Sequence, residues 1–336
     1  MCLSGCVAGD IPYEELEARY GSPASRYVDL EDGLRVHYRD EGNPEADVTL
    51  VMVHGFAASL HAWEPWVERL KDDYRLVSLD LPGHGLTRAP EGYQSSPEGQ
   101  VAVVNALAAE LGLPPFVLAG NSMGGGVAWR YALAHPQKVR ALVLVNAGGW
   151  PAAAVEGEAD SRPMVFKLLE NPLGRSLLRN LDPRPLAGRG LRQAYGDEAL
   201  VTPELVDRYV ELARAPGHRA ILTDPRRRGA PAPVTPETFA AIQAPTLVMV
   251  GALDQVISAE RGAGFAQGIQ GARLITYADG GHVPMEQLPD RTAQDLRVFL
   301  ESLPPASLSE VGTRAKQRVT ESATGPDSAF VPYQIL

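Results

Sequence analysis

The stretch VLAGNSMGGGVAWR (residues 117–130) decides how the chain is read. It crowds four glycines around one serine, between an apolar run and an expected helix. A glycine-rich turn of this kind can cradle a phosphate or present a nucleophile. The phosphate readings fail on the residues that carry the chemistry. Gly120 and Gly125 have the spacing of a P-loop, but Gly126 and Val127 follow where a lysine is needed. A dinucleotide fingerprint starting at Gly120 would need glycine where Ser122 stands.

The pentapeptide Gly120-Asn121-Ser122-Met123-Gly124 is instead G-x-S-x-G, a nucleophile elbow. The chain turns sharply from strand to helix at Ser122, and Gly120 and Gly124 remove side chains that would collide in the turn. The hydroxyl then projects above the sheet at a helix N-terminus, where backbone N–H groups favour developing negative charge. Serine is a poor nucleophile without a base, and the base needs orienting. The elbow therefore predicts an acid and then a histidine downstream, each just after a strand. Asp254 follows the apolar run PTLVMVG (245–251), and His282 follows RLITYAD (273–279). Asp279 competes for the acid role, but it lies only three residues before His282 in the same loop. The other histidines, at 37, 54, 61, 84, 135 and 218, all precede the acid. The expected oxyanion donors are the backbone N–H groups of Met123 and, in the loop after VTLVMVHG (48–55), Phe56. His54, Asp80 and His84 are read as structural residues.

Around the elbow the pattern is strand–helix–strand. RYVDLEDGLRVHYRDEG (26–42) reads as a hairpin turning at Asp32-Gly33. Further strands are expected at 48–55, 74–80, 116–120, 140–148, 245–251 and 273–279, and helices at about 61–71, 97–111, 123–135, 258–268 and 290–302. Near-continuous apolar strands such as FVLAG and RALVLVNAG suit a sheet covered on both faces. The alternation implies an α/β doubly wound, mostly parallel sheet. The domain reading is a core of residues 25–148 and 244–303, a helical cap of 149–243, a polar N-terminal tether of 1–24 and a disordered tail of 304–336. A structureless loop as long as the interval before Pro245 would be improbable in a compact domain, and PMVFKLLE and TPELVDRYVELAR inside it have helical patterns.

The motifs HGF (54–56), DLPGHG (80–85), GNSMGG (120–125), GALDQVI (251–257) and GGHVPMEQLPD (280–290) stand in an order and spacing that resemble the α/β-hydrolase superfamily. The resemblance is to its branch with a helical lid after the sixth strand and covers about residues 25–303. It implies a serine hydrolase acting on small to medium, largely apolar carboxylic esters through an acyl-enzyme, with no cofactor and no metal. Ser122 argues against dehalogenase and epoxide hydrolase relatives, which carry aspartate at that position. Carbon–carbon hydrolases of aromatic ring-fission products use serine, often within GNSMGG. They typically have a longer glycine-rich oxyanion loop and a tryptophan after the catalytic histidine, where this chain has Val283. Cofactor-free haloperoxidase or perhydrolase chemistry and a non-catalytic binding protein of the same fold are further alternatives. Trp150, Met164, Val165, Phe166, Leu168, Leu169 and Val283 are candidates for the substrate pocket, and Arg226–Arg228 for a carboxylate contact.

Bulk properties narrow the partners. The 336 residues carry a net charge of −10, which argues against a nucleic-acid surface, and no apolar run approaches a membrane span. A small-molecule ester is the expected partner, with the chain a monomer or homodimer. Cys2 and Cys6 are the two cysteines, so no disulfide framework is expected. Leu3 to Cys6, LSGC, resembles the lipobox of bacterial lipoproteins, although only five residues precede Cys6. A secretory signal has an apolar region of roughly 7–15 residues. Two locations stay open, cytoplasmic or membrane-anchored through a lipidated Cys6.

Overall fold

The computed structural model describes residues 8–151, 164–224 and 234–304. Cys6, the arginine cluster at 226–228 and the tail beyond Pro304 lie outside the described residues. Eight strands form one sheet: β1 (Ser25–Asp29), β2 (Arg35–Gly42), β3 (Thr49–Val53), β4 (Arg75–Leu79), β5 (Phe116–Asn121), β6 (Val139–Val145), β7 (Thr246–Gly251) and β8 (Arg273–Tyr277). Their order is β1-β2-β4-β3-β5-β6-β7-β8. β2 is antiparallel to both β1 and β4, and all other pairs are parallel. The hairpin turns at Asp32-Gly33 as the dipeptide predicts, with Gly33 at φ 81°.

The apolar runs become strands because both faces of the sheet are covered. Every residue of β3, β5 and β7 is buried. One covering layer includes the helices Pro97–Glu110, Met123–Ala134 and Ala259–Gly268. The other includes Glu64–Leu70 and Pro289–Glu301. Ser96 and Ser258 start two of these helices by accepting the backbone N–H of Gly99 and Arg261.

Among the parallel strands the order reverses once. From β3 the chain moves outward to β4, then returns across β3 to place β5 on its other side. In open α/β sheets ligands bind beyond the carboxyl ends of the strands at such a reversal. Here that crevice lies between the ends of β3 and β5, where Val53 pairs with Gly120.

Between β6 and β7 the chain leaves the sheet and forms the helices Met164–Glu170, Pro172–Asn180, Arg184–Ala194, Pro203–Ala213 and His218–Leu222. Proline in the first turn is compatible with starting a helix, because its missing N–H would be unpaired there anyway. Asn171 and Thr202 complete two of these starts by capping Leu173 and Leu205.

One expectation is corrected. The segment read as a polar tether contains a helix, Tyr13–Tyr20. Leu16 is fully buried, and Tyr13 Oη donates to Thr87 O at 3.2 Å. Tyr20 Oη and Arg19 both donate to Glu211 on the inserted helix Pro203–Ala213. Burying Leu16 contributes about 1.5–3 kcal/mol. Its single aliphatic anchor gives the sequence too little periodicity to reveal the helix.

Candidate active site

Ser122 stands between β5 and the helix Met123–Ala134, with φ 54° and ψ −116°. This backbone geometry is uncommon for a side-chain-bearing residue and marks stored strain. The glycines explain how it is tolerated. A Cβ on Gly120 would overlap the Gly124 carbonyl, and one on Gly124 would overlap the Val53 carbonyl. The turn is fixed to β6, since Ser122 N–H donates to Val145 O at 3.1 Å and Ser122 O accepts Gly148 N–H at 2.8 Å.

The acid and the histidine come from adjacent loops. Gly251 pairs with Tyr277 at the ends of β7 and β8, so the chains leaving those strands run side by side. His282 Nδ1 lies 2.7 Å from Asp254 Oδ2. The other carboxylate oxygen, Oδ1, accepts the N–H groups of Val256 at 2.7 Å and Ile257 at 3.0 Å. Asp254 is therefore held as a rigid acceptor, which sets the imidazole's orientation. Asp279 plays no part here. It is paired on the surface with Arg291, which holds its carboxyl below the usual range.

Two asparagines that the sequence reading did not single out support the histidine loop. Asn121 Nδ2 donates to His282 O at 2.9 Å, and Asn146 Nδ2 donates to Gly281 O at 2.8 Å. Asn146 Oδ1 also accepts Gly251 N–H at 3.0 Å, joining the ends of β6 and β7 to this loop. Asn146 has φ 41°, a conformation asparagine tolerates better than most residues. Its place directly after an apolar strand, in VNAG, is the signal that could have identified it. From the inserted helices, Ala194 O accepts His282 N–H at 2.6 Å. Glu286, four residues further on, is buried with Arg208 Nη2 at 3.7 Å. Burial pushes its carboxyl up to about 7, opposed by Arg208 and by a hydrogen bond with Tyr195.

The loop after β3 is braced from below. His54 is fully buried, with Nδ1 2.7 Å from Gly55 O and Nε2 accepting Leu81 N–H at 3.0 Å. Burial lowers its pKa. One nitrogen donating and the other accepting is the neutral tautomer. Asp80 is also fully buried and accepts Leu60 N–H at 2.8 Å and Leu86 N–H at 2.9 Å, with His37 Nδ1 at 2.7 Å. Burial alone would raise its carboxyl. The His37 hydrogen bond and the field of the surrounding imidazoles outweigh that and hold it well below the usual carboxylate range.

Above Ser122 lies a cavity of about 200 Å³. Ser122, His282, Phe56 and Asn121 line its floor, and Val165, Phe166, Leu169, Leu178, Leu186 and Leu191 line its helical side. Phe166 also meets Phe56, ring to ring, at 5.6 Å. Of the expected pocket residues, Val165, Phe166, Leu169 and Val283 reach the cavity, and Leu168 is not part of its lining. Nor is Trp150. It stacks on Phe239 at 5.0 Å and packs on Phe265, because an indole covers the apolar helix surface left by Gly264 and Gly268. Met164 points outward instead, with 48% of its surface exposed. Met123 begins the helix beside Ser122, and its sulfur faces Gln100.

Comparison with known proteins agrees with this architecture. A family model described as alpha/beta hydrolase fold matches residues 48–288. The chain is 33% identical over 270 residues to the pimeloyl-(acyl-carrier protein) methyl ester esterase of Stenotrophomonas maltophilia, covering 76% of this chain and 94% of that protein. It is 28% identical over 303 residues to a 2-hydroxymuconate semialdehyde hydrolase of a Pseudomonas species, covering 88% and 100%. The crystal structure of a bacterial membrane phospholipase A is similar with a TM-score of 0.70 at 26% identity, covering 84% of this chain and 87% of that one. A single strand-order reversal beneath the serine turn and a family match running from β3 to the histidine loop lead to one assignment: the chain belongs to the α/β-hydrolase fold family.

Proposed function

We propose that this hydrolase cleaves carboxylic esters through an acyl-enzyme formed on Ser122. The observation that carries the proposal is the 2.7 Å His282–Asp254 pair, beside a strained serine, on the floor of an apolar cavity. In this reading His282 takes the proton of Ser122 Oγ as that oxygen attacks the ester carbonyl. Asp254 holds the imidazole tautomer and stabilises the imidazolium. The N–H groups of Phe56 and Met123 receive the oxyanion, and removing one such donor typically costs about 3–4 kcal/mol. His282 then returns the proton to the departing alcohol, and a water activated by His282 releases the acid. The inserted helices act as a lid whose apolar side chains select the substrate. The relative named as a methyl ester esterase supports ester chemistry.

The relative that hydrolyses 2-hydroxymuconate semialdehyde supports a second reading, carbon–carbon cleavage. The cavity lining favours the first. A ring-fission acid carries a carboxylate that needs a cationic partner when desolvated. Among the described lining residues Arg219 is the arginine, and its guanidinium is already bound to Ala8 O and Asp10.

The test pairs a fluorophosphonate with a chain-length panel of p-nitrophenyl esters and a ring-fission product. We expect one adduct per chain, mapped by mass to Ser122, and turnover of butyrate in preference to the ring-fission acid. An unlabelled Ser122, or turnover confined to the ring-fission acid, would overturn the ester reading. Asn146→Ala is expected to leave labelling stoichiometry intact while slowing it about tenfold and lowering stability by about 1–3 kcal/mol, because Gly281 O and Gly251 N–H lose their partner. An unchanged labelling rate would remove Asn146 from the support of His282.

A further inference from the structure

The helices Met164–Glu170 and Pro172–Asn180 have two apolar sides. Val165, Phe166, Leu169 and Leu178 face the cavity. Met164, Leu173, Leu177 and Leu181 face outward, exposed by 48%, 76%, 48% and 37%. Leu173 and Leu177 lie one turn apart on the helix Pro172–Asn180 and form one stripe, and Leu181 follows at the helix's end. Scattered single leucines on a surface need no explanation, but an aligned set does.

Charge identifies the partner. Residues 164–194 contain six basic and two acidic side chains, a net of +4 within a chain of net −10. Lys167, Arg189 and Arg192 of this segment are exposed. An acidic protein that concentrates positive charge in the segment that carries a leucine stripe is complementary to an anionic lipid surface, where apolar side chains enter the acyl boundary and cations meet headgroups. The N-terminal segment reaches the same place. Ala8 N–H donates to Asn180 O at 3.1 Å, at the end of the stripe-bearing helix.

We propose that the outward face of Met164, Leu173, Leu177 and Leu181 docks the protein on an anionic lipid bilayer, with the wall of the cavity turned toward the acyl layer. Docking is independent of the ester-hydrolase reading. Delivery of a lipid acyl ester to Ser122 rests on that reading.

The test is flotation of the full chain carrying Ser122→Ala and Cys6→Ser, so that neither turnover nor an acyl anchor contributes. Vesicles are phosphatidylcholine alone or an equal mixture with phosphatidylglycerol. The parent is expected to float with the mixture and to be released at 1 M salt, where the Debye length falls to about 3 Å. Leu173→Glu with Leu177→Glu should cut the bound fraction about tenfold, with an unchanged circular dichroism spectrum and Tm. Arg189→Glu with Arg192→Glu should weaken binding to the mixture without touching the leucines. A parent that stays unbound, or a leucine double variant that floats like the parent, would overturn the proposal. So would a dimeric parent that the leucine substitutions make monomeric, since the stripe would then be a self-interface. With Ser122 restored, the leucine double variant should keep its p-nitrophenyl butyrate rate and lose hydrolysis of esters embedded in vesicles. If no ester is cleaved at all while flotation persists, the ester reading fails and the docking surface stands.

Discussion

Ser122→Ala is expected to lower kcat on p-nitrophenyl butyrate by about 10⁵- to 10⁶-fold with little change in KM. The substitution removes the proposed attacking oxygen and leaves the helical side of the cavity untouched, so substrate binding should survive. His282→Ala should match it, and the double variant should be no worse than either single one, because the two residues act as one unit. Asp254→Asn should lose about 10⁴-fold. It keeps the shape of the side chain but no longer offers His282 Nδ1 a carboxylate. The measurement is steady-state turnover of variants purified from a host lacking endogenous esterase. A Ser122→Ala protein retaining more than about a hundredth of wild-type kcat would exclude Ser122 as the nucleophile.

Asp80→Ala is expected to produce the largest stability loss, about 3–5 kcal/mol, because it removes one partner of a fully buried pair. The vacated site would leave His37 Nδ1 and the N–H groups of Leu60 and Leu86 without their acceptor. The accompanying fall in Tm should be on the order of 10 °C. The pH dependence has a definite sign. The folded carboxyl is held below its unfolded value, so the folded state binds fewer protons there. The contribution is complete above the ordinary aspartate value, about 3.9, and is lost as the pH falls below it. Urea unfolding of wild type and variant at several pH values checks this, and their stability curves should converge in acid. Wild-type stability with abolished turnover would instead make Asp80 a reacting group.

The parts of the molecule that were legible in the sequence are those set by local rules. Apolar runs bounded by turn residues mark the buried strands, and Asp32-Gly33 marks the hairpin. The serine turn is legible because its glycines answer to backbone collisions within a few residues. What stayed hidden depends on distant partners. Tyr13–Tyr20 is a helix because Thr87 and Glu211 receive its tyrosines, and neither is near in sequence. Trp150 could equally face a pocket or a helix; Phe239 and Phe265, about a hundred residues away, decide it. Asn121 and Asn146 look like ordinary strand-end residues until β7 and β8 bring Gly281 and His282 over them.

The hydrogen bond from His282 N–H to Ala194 O has a mechanical consequence. The histidine's own peptide is fastened to the end of the inserted helix Arg184–Ala194. Lifting that helix would pull on the proposed base itself. It therefore belongs to the door frame. The opposite wall, Met164–Asn180, meets the core at Phe56 through the ring of Phe166. On the proposed reading, a displacement of that side would leave the imidazole's alignment intact.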